Sequence, residues 1–455
     1  MSKIVPQKQA ALRVVEILRQ QGHEALFAGG CVRDEMLGRT PRDYDVATSA
    51  RPEQVEALFP KTLPIGKAFG VVAVIDGKQT VEVATFRTDE GINDGRRPTT
   101  VSFSSAKEDA LRRDFTINGM FIDPLNNELR DYVNGQRDLE RRVVAAIGDP
   151  AERFREDHLR MLRAIRFAHA LEFTIEPETE SAIRDLAHLI GNISAERIEY
   201  ELTRILTESI KPGDALAHLL RTGLLGQILP DVARMAGQQQ PPEFHPEGDV
   251  FEHVCLMLDL MKEESTLVGY TPRELAYAVL LHDIGKPPTA AVTCGKDGNT
   301  RIRFNGHAKV GADMAEQILV DLKFPNKERK RIVEAVRGHM RFMDIQQMRT
   351  SKLRQFIGSD TFELEMALHR VDCLGSHRML ENFDYVRNFQ ETMKNEPILP
   401  EPWINGNDLL ELGIREGKAI GRILKEVYEG QMENRFASRE EALEWVRETH
   451  ASKRG

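Results

Sequence analysis

The chain has 455 residues, 41% of them hydrophobic and 29% charged, and a net charge of −9 at pH 7. That length exceeds one hydrophobic core and predicts roughly two to four domains, while no apolar run approaches a membrane-spanning helix. A net-negative chain also excludes a uniform basic coat, so nucleic-acid binding would need local basic surface such as residues 153–166, 327–337 or 349–354. Cys31, Cys255, Cys294 and Cys373 are scattered without a C-x-x-C, and the first residues, MSKIVP, lack an apolar signal core. Both features predict a cytoplasmic protein with reduced thiols.

Residues 7–21 carry Leu12, Val15, Ile17 and Leu18 at helical spacing and stop at Gly22. Ala25-Leu26-Phe27-Ala28 reads as a short strand, Gly29-Gly30 as a turn, and residues 31–37 as a helix ending at Gly38. A glycine turn feeding a helix presents backbone N–H groups and a positive dipole end, which suit phosphate, and Arg33 adds a cation there. Asp43-Tyr44-Asp45-Val46-Ala47 favours a strand. Alternation would put Asp43 and Asp45 on one face, roughly 6–7 Å apart, a hard-oxygen pair for Mg²⁺. Alone, a Gly-Gly turn is commonly only a turn, and D-x-D only solvated surface. Their closeness points to nucleotidyl transfer.

A helix is expected near residues 52–58, followed by a hairpin of residues 70–75 and 80–86 around Asp76-Gly77. Glu82 alternates with Val81 and Val83, either as a third metal carboxylate or as a solvent-facing residue. Residues 87–98 are charged, Gly-rich and aperiodic and read as a mobile loop. Gly148-Asp149-Pro150 opens what reads as one long helix with Leu159, Leu162, Ile165 and Ala168 on its apolar line. Asp157, Arg160, Arg163 and Arg166 form a polar line three residues apart. An adjacent Asp and Arg can imitate a base edge; an intrahelical ion pair is the plain alternative. Residues 170–235 continue in helical pattern, and residues 237–242 (GQQQPP) read as a linker.

Beyond it, His253, His282-Asp283, His307, His339 and Asp372 supply imidazoles and carboxylates from separate segments. Such a set can close on one or two divalent ions and activate water against a phosphoester. Residues 400–450 open on Pro400-Glu401-Pro402-Trp403, and Ile420, Ile423, Leu424 and Val427 mark a helix. There is no internal repeat.

Gly29-Gly30-Cys31-Val32-Arg33-Asp34 followed by Asp43-Tyr44-Asp45, then Arg112-Arg113-Asp114-Phe115-Thr116 and Glu156-Asp157-His158-Leu159-Arg160, resembles the class II tRNA nucleotidyltransferases and bacterial poly(A) polymerases. The resemblance is strongest over residues 25–170. Gly119 stands where that family usually has alanine, a loss of one methyl expected to matter little. The order His, His-Asp, His, His, Asp over residues 245–377 resembles the HD phosphohydrolase superfamily.

These resemblances imply an α/β, polymerase-β-like nucleotidyltransferase head followed by an all-α body that includes an HD-type domain. The expected divisions are residues 1–147 (head), 148–236 (helical neck with the base-reading and RNA-binding helix), 245–378 (HD) and 400–455 (C-terminal helical segment, for tail packing and RNA support). Asp43 and Asp45 would hold catalytic Mg²⁺, with Glu82 as a third carboxylate. Gly30, Arg33, Arg113 and Asp114 would hold the nucleotide, and Asp157, Arg160, Arg163 and Arg166 would select CTP and ATP. His253, His282, Asp283, His307, His339 and Asp372 would form the HD site with a second divalent metal. The implied reaction is template-independent addition of CCA to the tRNA 3′ end, with no membrane or protein partner. Rival expectations are poly(A) addition, CC-only or A-only addition, and an HD phosphohydrolase with an RNA-binding head. Residues 63–72 (LPIGKAFGVV) match neither polymerising pattern cleanly, whereas the end Lys453-Arg454-Gly455, without a long basic run, leans towards tRNA.

Overall fold

The computed structural model describes residues 5–90, 100–264, 269–294 and 300–451. The chain divides into two compact units, Met1–Ala233 and Arg234–Gly455. No helix among the described residues is long and apolar enough to cross a membrane. All four cysteines are free thiols.

In the first unit, α1 (Pro6–Gln20) buries Ala10, Ala11, Val14, Val15 and Leu18. The strands are β1 (Ala25–Ala28), β2 (Asp45–Thr48), β3 (Thr62–Gly66), β4 (Val71–Asp76), β5 (Gln79–Thr85), β6 (Arg87–Glu90), β7 (Thr100–Phe103), β8 (Phe121–Asp123) and β9 (Glu128–Arg130). Seven of them form one mixed sheet, in the order β3-β4-β5-β2-β1-β8-β9. The β2–β5 pair is parallel and the others are antiparallel. α1 packs across β1, β2 and β5. Leu26, Ala28, Ala47, Phe86, Ala110, Phe121 and Ile147 are among the residues of a core cluster beside the sheet. The β4–β5 hairpin turns at Gly77, whose φ of +63° suits the residue.

Short helices connect and cover the strands: α2 (Gly30–Met36), α3 (Pro52–Leu58), α4 (Ala106–Leu111) and α5 (Gly135–Glu140). The helical part of this unit comprises α6 (Pro150–Glu156), α7 (Arg160–Leu171), α8 (Pro177–Leu186), α9 (Ala195–Glu208), α10 (Pro212–Arg221), α11 (Leu224–Ile228) and α12 (Pro230–Ala233).

Several expectations are corrected here. Asp43 precedes β2 rather than lying in it. The β1–β2 ladder ends at Ala28↔Asp45, because the chain leaves β1 at Gly29 with φ +72° and offers no further partner. The expected loop at 87–98 begins as a strand, since β6 pairs with β7; its remainder, from residue 91, lies outside the described residues. The expected long helix is two. Asp157 adopts φ −146°, and its Oδ1 accepts the Leu159 N–H at 3.1 Å, a local turn that competes with helix continuation. Nor is Gly119 a harmless loss of a methyl: a Cβ there would fall 2.7 Å from Val133 Cγ2 and 3.1 Å from Ile147 Cδ1. In this chain Val133 and Ile147 crowd the space an alanine would need.

In the second unit, Asp249 and Glu252 form a reciprocal capping box that starts α13 (Val250–Leu260). Thr271 and Glu274 do the same for α14 (Pro272–Leu281). The unit continues with α15 (Lys286–Thr289), α16 (His307–Asp321), α17 (Asn326–Gly338), α18 (Thr350–Ile357), α19 (Phe362–Gly375) and α20 (Glu381–Thr392). The last helices, α21 (Gly406–Glu411), α22 (Lys418–Met432) and α23 (Arg439–Val446), share a small core of Ile404, Leu409, Ile423, Val427 and Phe436 with Trp403 and Trp445 against it.

Candidate nucleotidyl-transfer site and helical His–Asp cluster

A cleft of about 1260 Å³ opens in the first unit. Its walls include Gly30, Arg33, Asp43, Asp45, Glu82, Arg113, Asp114, Asp157, Arg160, Arg163 and Arg166. Every residue singled out in the head and neck therefore faces one space.

On the carboxylate wall, the parallel register Val46↔Val83 sets Asp45 beside Glu82 on the neighbouring strand. Asp43 is exposed and Asp45 half-buried. Burial first, then Asp43 and Glu82, push the Asp45 carboxyl up to about 7, although Arg113 acts the other way. Negative charge here is under-compensated, which fits a site for a cation. Among the described residues, the oxygens of these three carboxylates do not all come within 4.8 Å of one another.

Elsewhere along the cleft, guanidinium groups are held by neighbouring acceptors. Arg33 Nη1 donates to Asn118 Oδ1 at 2.7 Å, while its Nε and Nη2 donate to Asp34 Oδ1 at 2.8 and 2.7 Å. Arg113 donates from Nε and Nη2 to Asp109 Oδ2 at 3.1 and 2.9 Å. Burial works against ionisation of Asp109, but Arg113 and Arg112 hold its carboxyl below the usual range. A Cβ on Gly29 would meet Arg113 Nη1 at 3.0 Å, so the glycine turn and the arginine are fitted to each other.

Asp114 takes the Phe115 N–H at 2.8 Å and Asn118 Nδ2 at 3.2 Å on one oxygen, and Arg163 Nε and Nη2 at 2.9 and 2.6 Å on the other. Burial alone would raise its pKa; Arg163 overrides that and holds it at about 2. Asp114 thus organises this part of the cleft through Arg163 and Asn118. Arg166 is buried and donates from Nε to Glu201 Oε2 at 2.6 Å, so its charge is satisfied inside the protein.

Asp157 and Arg160 form no intrahelical ion pair. Asp157 Oδ2 accepts from Arg197 Nη2 at 2.8 Å. Arg160 donates to Glu156 Oε2 at 2.7 Å and to the Arg153 and Arg112 carbonyls at 3.1 and 3.0 Å. Both line the cleft, each steadied by other groups. Asp109, Asn118, Arg197 and Glu201 were not singled out from the sequence. Asn118 lies two residues beyond the Arg112–Thr116 motif; Arg197 and Glu201, four apart on α9, look like any helical ion pair.

The second unit gathers all six predicted HD residues. His253 Nε2 lies 3.2 Å from Asp372 Oδ1, and His282 Nε2 lies 3.2 Å from Asp283 Oδ2. His307 and His339 Nε2 lie 3.5 and 3.8 Å from Asp283 Oδ1. His253, His282 and Asp372 make one compact donor set; Asp283, His307 and His339 make another. His282, His307 and His339 share one device: each Nδ1 donates to the carbonyl three residues earlier, at 2.9, 2.8 and 2.7 Å. The proton is thereby kept on Nδ1 and the Nε2 lone pair turned into the cluster, as a metal-ligating imidazole requires. His282 Nε2 is buried without a hydrogen-bond partner among the described residues. Burial, then His282, push His339 down to about 4, so it stands neutral. The donor set fits a divalent cation.

Gly285 makes the gathering possible. A Cβ there would fall 2.2 Å from the His307 carbonyl and 2.6 Å from the Gly311 nitrogen. Only glycine lets the turn after Asp283 approach α16 so closely. Residues 237–242, expected as a linker, form no helix or strand, and Gln240 within them is buried, its Oε1 accepting from Lys286 Nζ at 2.9 Å. Lys286 Nζ also lies 2.6 Å from Asp283 Oδ2. His245, Glu247 and Lys286 adjoin the cluster and were missed, because a lone His, Glu or Lys carries no local signal of what it will pack against.

Residues 25–145 match the poly A polymerase head domain, residues 172–235 the "Probable RNA and SrmB- binding site of polymerase A", and residues 250–374 the HD domain. Residues 25–145 and 172–235 are thus similar to the head and RNA-binding parts of poly A polymerases, and residues 250–374 to HD domains. The chain is also similar to CCA-adding enzymes. It is 47% identical to that of Bacillus pumilus (strain SAFR-032) over 197 residues, 43% of this chain and 49% of that enzyme. It is 43% identical to that of Bacillus subtilis (strain 168) over 276 residues, 60% of this chain and 64% of that enzyme. The chain thus spans less than two-thirds of the length of these curated relatives. The crystal structure of the Bacillus stearothermophilus CCA-adding enzyme in complex with CTP superposes over 99% of both chains, with TM-score 0.73 and 27% identity.

Proposed function

We propose that the chain adds CCA to the 3′ end of tRNA by nucleotidyl transfer from CTP and ATP. The observation that carries this reading is the single cleft that brings the Asp43–Asp45–Glu82 carboxylates together with Asp157 and Arg160. Asp43 and Asp45, with Glu82 beside them, would hold Mg²⁺, which when bound supplies acidification of the attacking hydroxyl and neutralisation of the leaving pyrophosphate. Gly30, Arg33 and Arg113 present N–H groups and fixed guanidinium groups to the triphosphate. Arg33 is held by Asn118 and Asp34, and Arg113 by Asp109, so little reorganisation is needed when the phosphates arrive. Asp157 offers a carboxylate to the exocyclic amino group common to cytosine and adenine, and Arg160 offers donors to ring nitrogens. Asp114 and Arg166 set the position of this face, through Arg163 and Glu201 respectively.

We assign residues 1–147 to the head, 148–236 to the neck, 245–378 to the HD region and 400–455 to a C-terminal helical segment that supports RNA. With free thiols throughout and tRNA as substrate, we place the protein in the cytoplasm. Incubating a tRNA that ends before CCA with each nucleotide separately, then with CTP and ATP together, tests the reading. Addition of two C and one A is expected. Repeated A, or C or A alone, would reassign the chain to polyadenylation or partial addition.

A second reading concerns the HD cluster. The pre-set Nδ1 tautomers and the orphaned His282 Nε2 favour a cation-dependent phosphoester hydrolase, acting for example on a terminal 2′,3′-cyclic phosphate.

A further inference from the structure

His253 is the exception in the HD cluster. His282 and His339 lie just past the ends of α14 and α17, and His307 opens α16; each finds a backbone carbonyl for Nδ1. His253 lies inside α13, where helix bonds occupy the carbonyls; the Asp249 carbonyl already accepts the His253 N–H at 3.0 Å. Another acceptor must orient its ring. The segment before α13 supplies one. Gln240 anchors that segment, taking Lys286 Nζ on Oε1 and donating from Nε2 to the Gly248 and Asp249 carbonyls at 3.3 Å each. Gly248 turns the chain at φ +138°, where a Cβ would fall 1.8 Å from Glu252 Oε2. The turn leaves Glu247 Oε1 only 2.6 Å from His253 Nδ1, and His245 Nδ1 donates to the same oxygen at 2.9 Å.

We propose that Glu247 is a positioning residue of the HD cluster: its carboxylate keeps the proton of His253 on Nδ1 and leaves Nε2, beside His282 and Asp372, as donor to a divalent cation. Two bare acceptors 2.6 Å apart would repel, so one of the two atoms must carry a proton, and imidazole is the stronger base. Neither ring nitrogen of His253 meets hydrogen-bond geometry among the described residues, so charge attraction rather than a directed bond holds the ring. A carboxylate behind a ligating imidazole also makes it a stronger donor than a carbonyl does. The inference rests on the reading that the cluster takes up a cation.

Calorimetric titration of the full chain with Mn²⁺ and Ni²⁺ tests it, comparing the parent with Glu247→Ala, Glu247→Gln and His253→Ala. Glu247→Ala should weaken Kd by about 10–100-fold at unchanged stoichiometry. Glu247→Gln, which keeps an acceptor oxygen but not the charge, should fall between parent and Glu247→Ala. Nucleotide incorporation and the melting of the second unit in EDTA should stay at parent values in the glutamine variant. A Kd within threefold of the parent in Glu247→Ala overturns the proposal. Loss of one whole ion equivalent, with the rest unweakened, also overturns it by making Glu247 a ligand. If the parent itself takes up no ion, the metal reading fails first, and the silent parent titration identifies that case.

Discussion

Replacing Asp45 by asparagine keeps the shape of the side chain and removes one charge from the Asp43–Asp45–Glu82 wall. Burial and those neighbours raise the Asp45 pKa from its ordinary 3.8 to about 7. An acid whose pKa rises on folding binds its proton more tightly when folded. Its stabilising contribution is therefore complete below 3.8 and lost as pH climbs through 7. At ~1.4 kcal/mol per pH unit, the folded head bears up to about 4 kcal/mol of destabilisation above pH 7; solvent reaching Asp45 from the cleft makes about 2–4 kcal/mol the working range. Asp45→Asn does not titrate and should be more stable than the parent by that amount near about pH 8.5 in EDTA, with the gap shrinking by roughly 30–60% near pH 5. Mg²⁺ should narrow the gap by stabilising the parent alone, while the variant loses nucleotide incorporation. Both tryptophans, Trp403 and Trp445, lie in the second unit, so tryptophan emission cannot follow the head. Hydrogen exchange of the β2 and β5 amides during denaturant titration reports the relevant unit, and tryptophan emission serves as an internal control. Equal stability in EDTA at the higher pH, or a gap independent of pH, would refute the charge-crowding argument.

Asp157→Ala should lose discrimination against UTP and GTP, which sites built on hydrogen bonds maintain at factors up to about 10⁴, while Arg160→Ala should impair both CTP and ATP; single-nucleotide incorporation assays check both, and retained selectivity with only a lower melting temperature would make Asp157 a structural partner of Arg197. Asp283→Ala should abolish divalent-dependent hydrolysis of a 2′,3′-cyclic phosphate and leave nucleotide addition intact, and absence of hydrolysis in the parent with Mg²⁺, Mn²⁺, Ni²⁺ and Co²⁺ would leave the cluster without a hydrolytic role.

Strands and short helices of the head were legible because their signals are local. An apolar tetrapeptide, an Asp-Gly turn and a Gly-Gly break mark β1, the β4–β5 hairpin and the start of α2 wherever they occur. The chemistry-bearing residues were legible because carboxylate pairs, arginines and His-Asp doublets are specific in type and order. All of those named in the head and neck face one cleft, and all six in the helical unit join one cluster.

What the sequence could not decide is which partner each charged group would take. Asp157 and Arg160 sit three apart, as an intrahelical pair would, yet a side-chain turn breaks the helix between them and they bond to Arg197 and Glu156. Arg166 shares the spacing of Arg163 but is drawn into the core by Glu201 from α9. Gly119 looked like a harmless loss of a methyl until Val133 and Ile147, distant in sequence, were seen to press on it. The polar Gln/Pro stretch reads as a spacer because the burial of Gln240 is a property of what packs over it. Residue type and local periodicity are carried by the chain itself, and they determined the elements and the chemistry. Charge pairing and burial depend on distances between segments remote in sequence, and only the tertiary structure settles those.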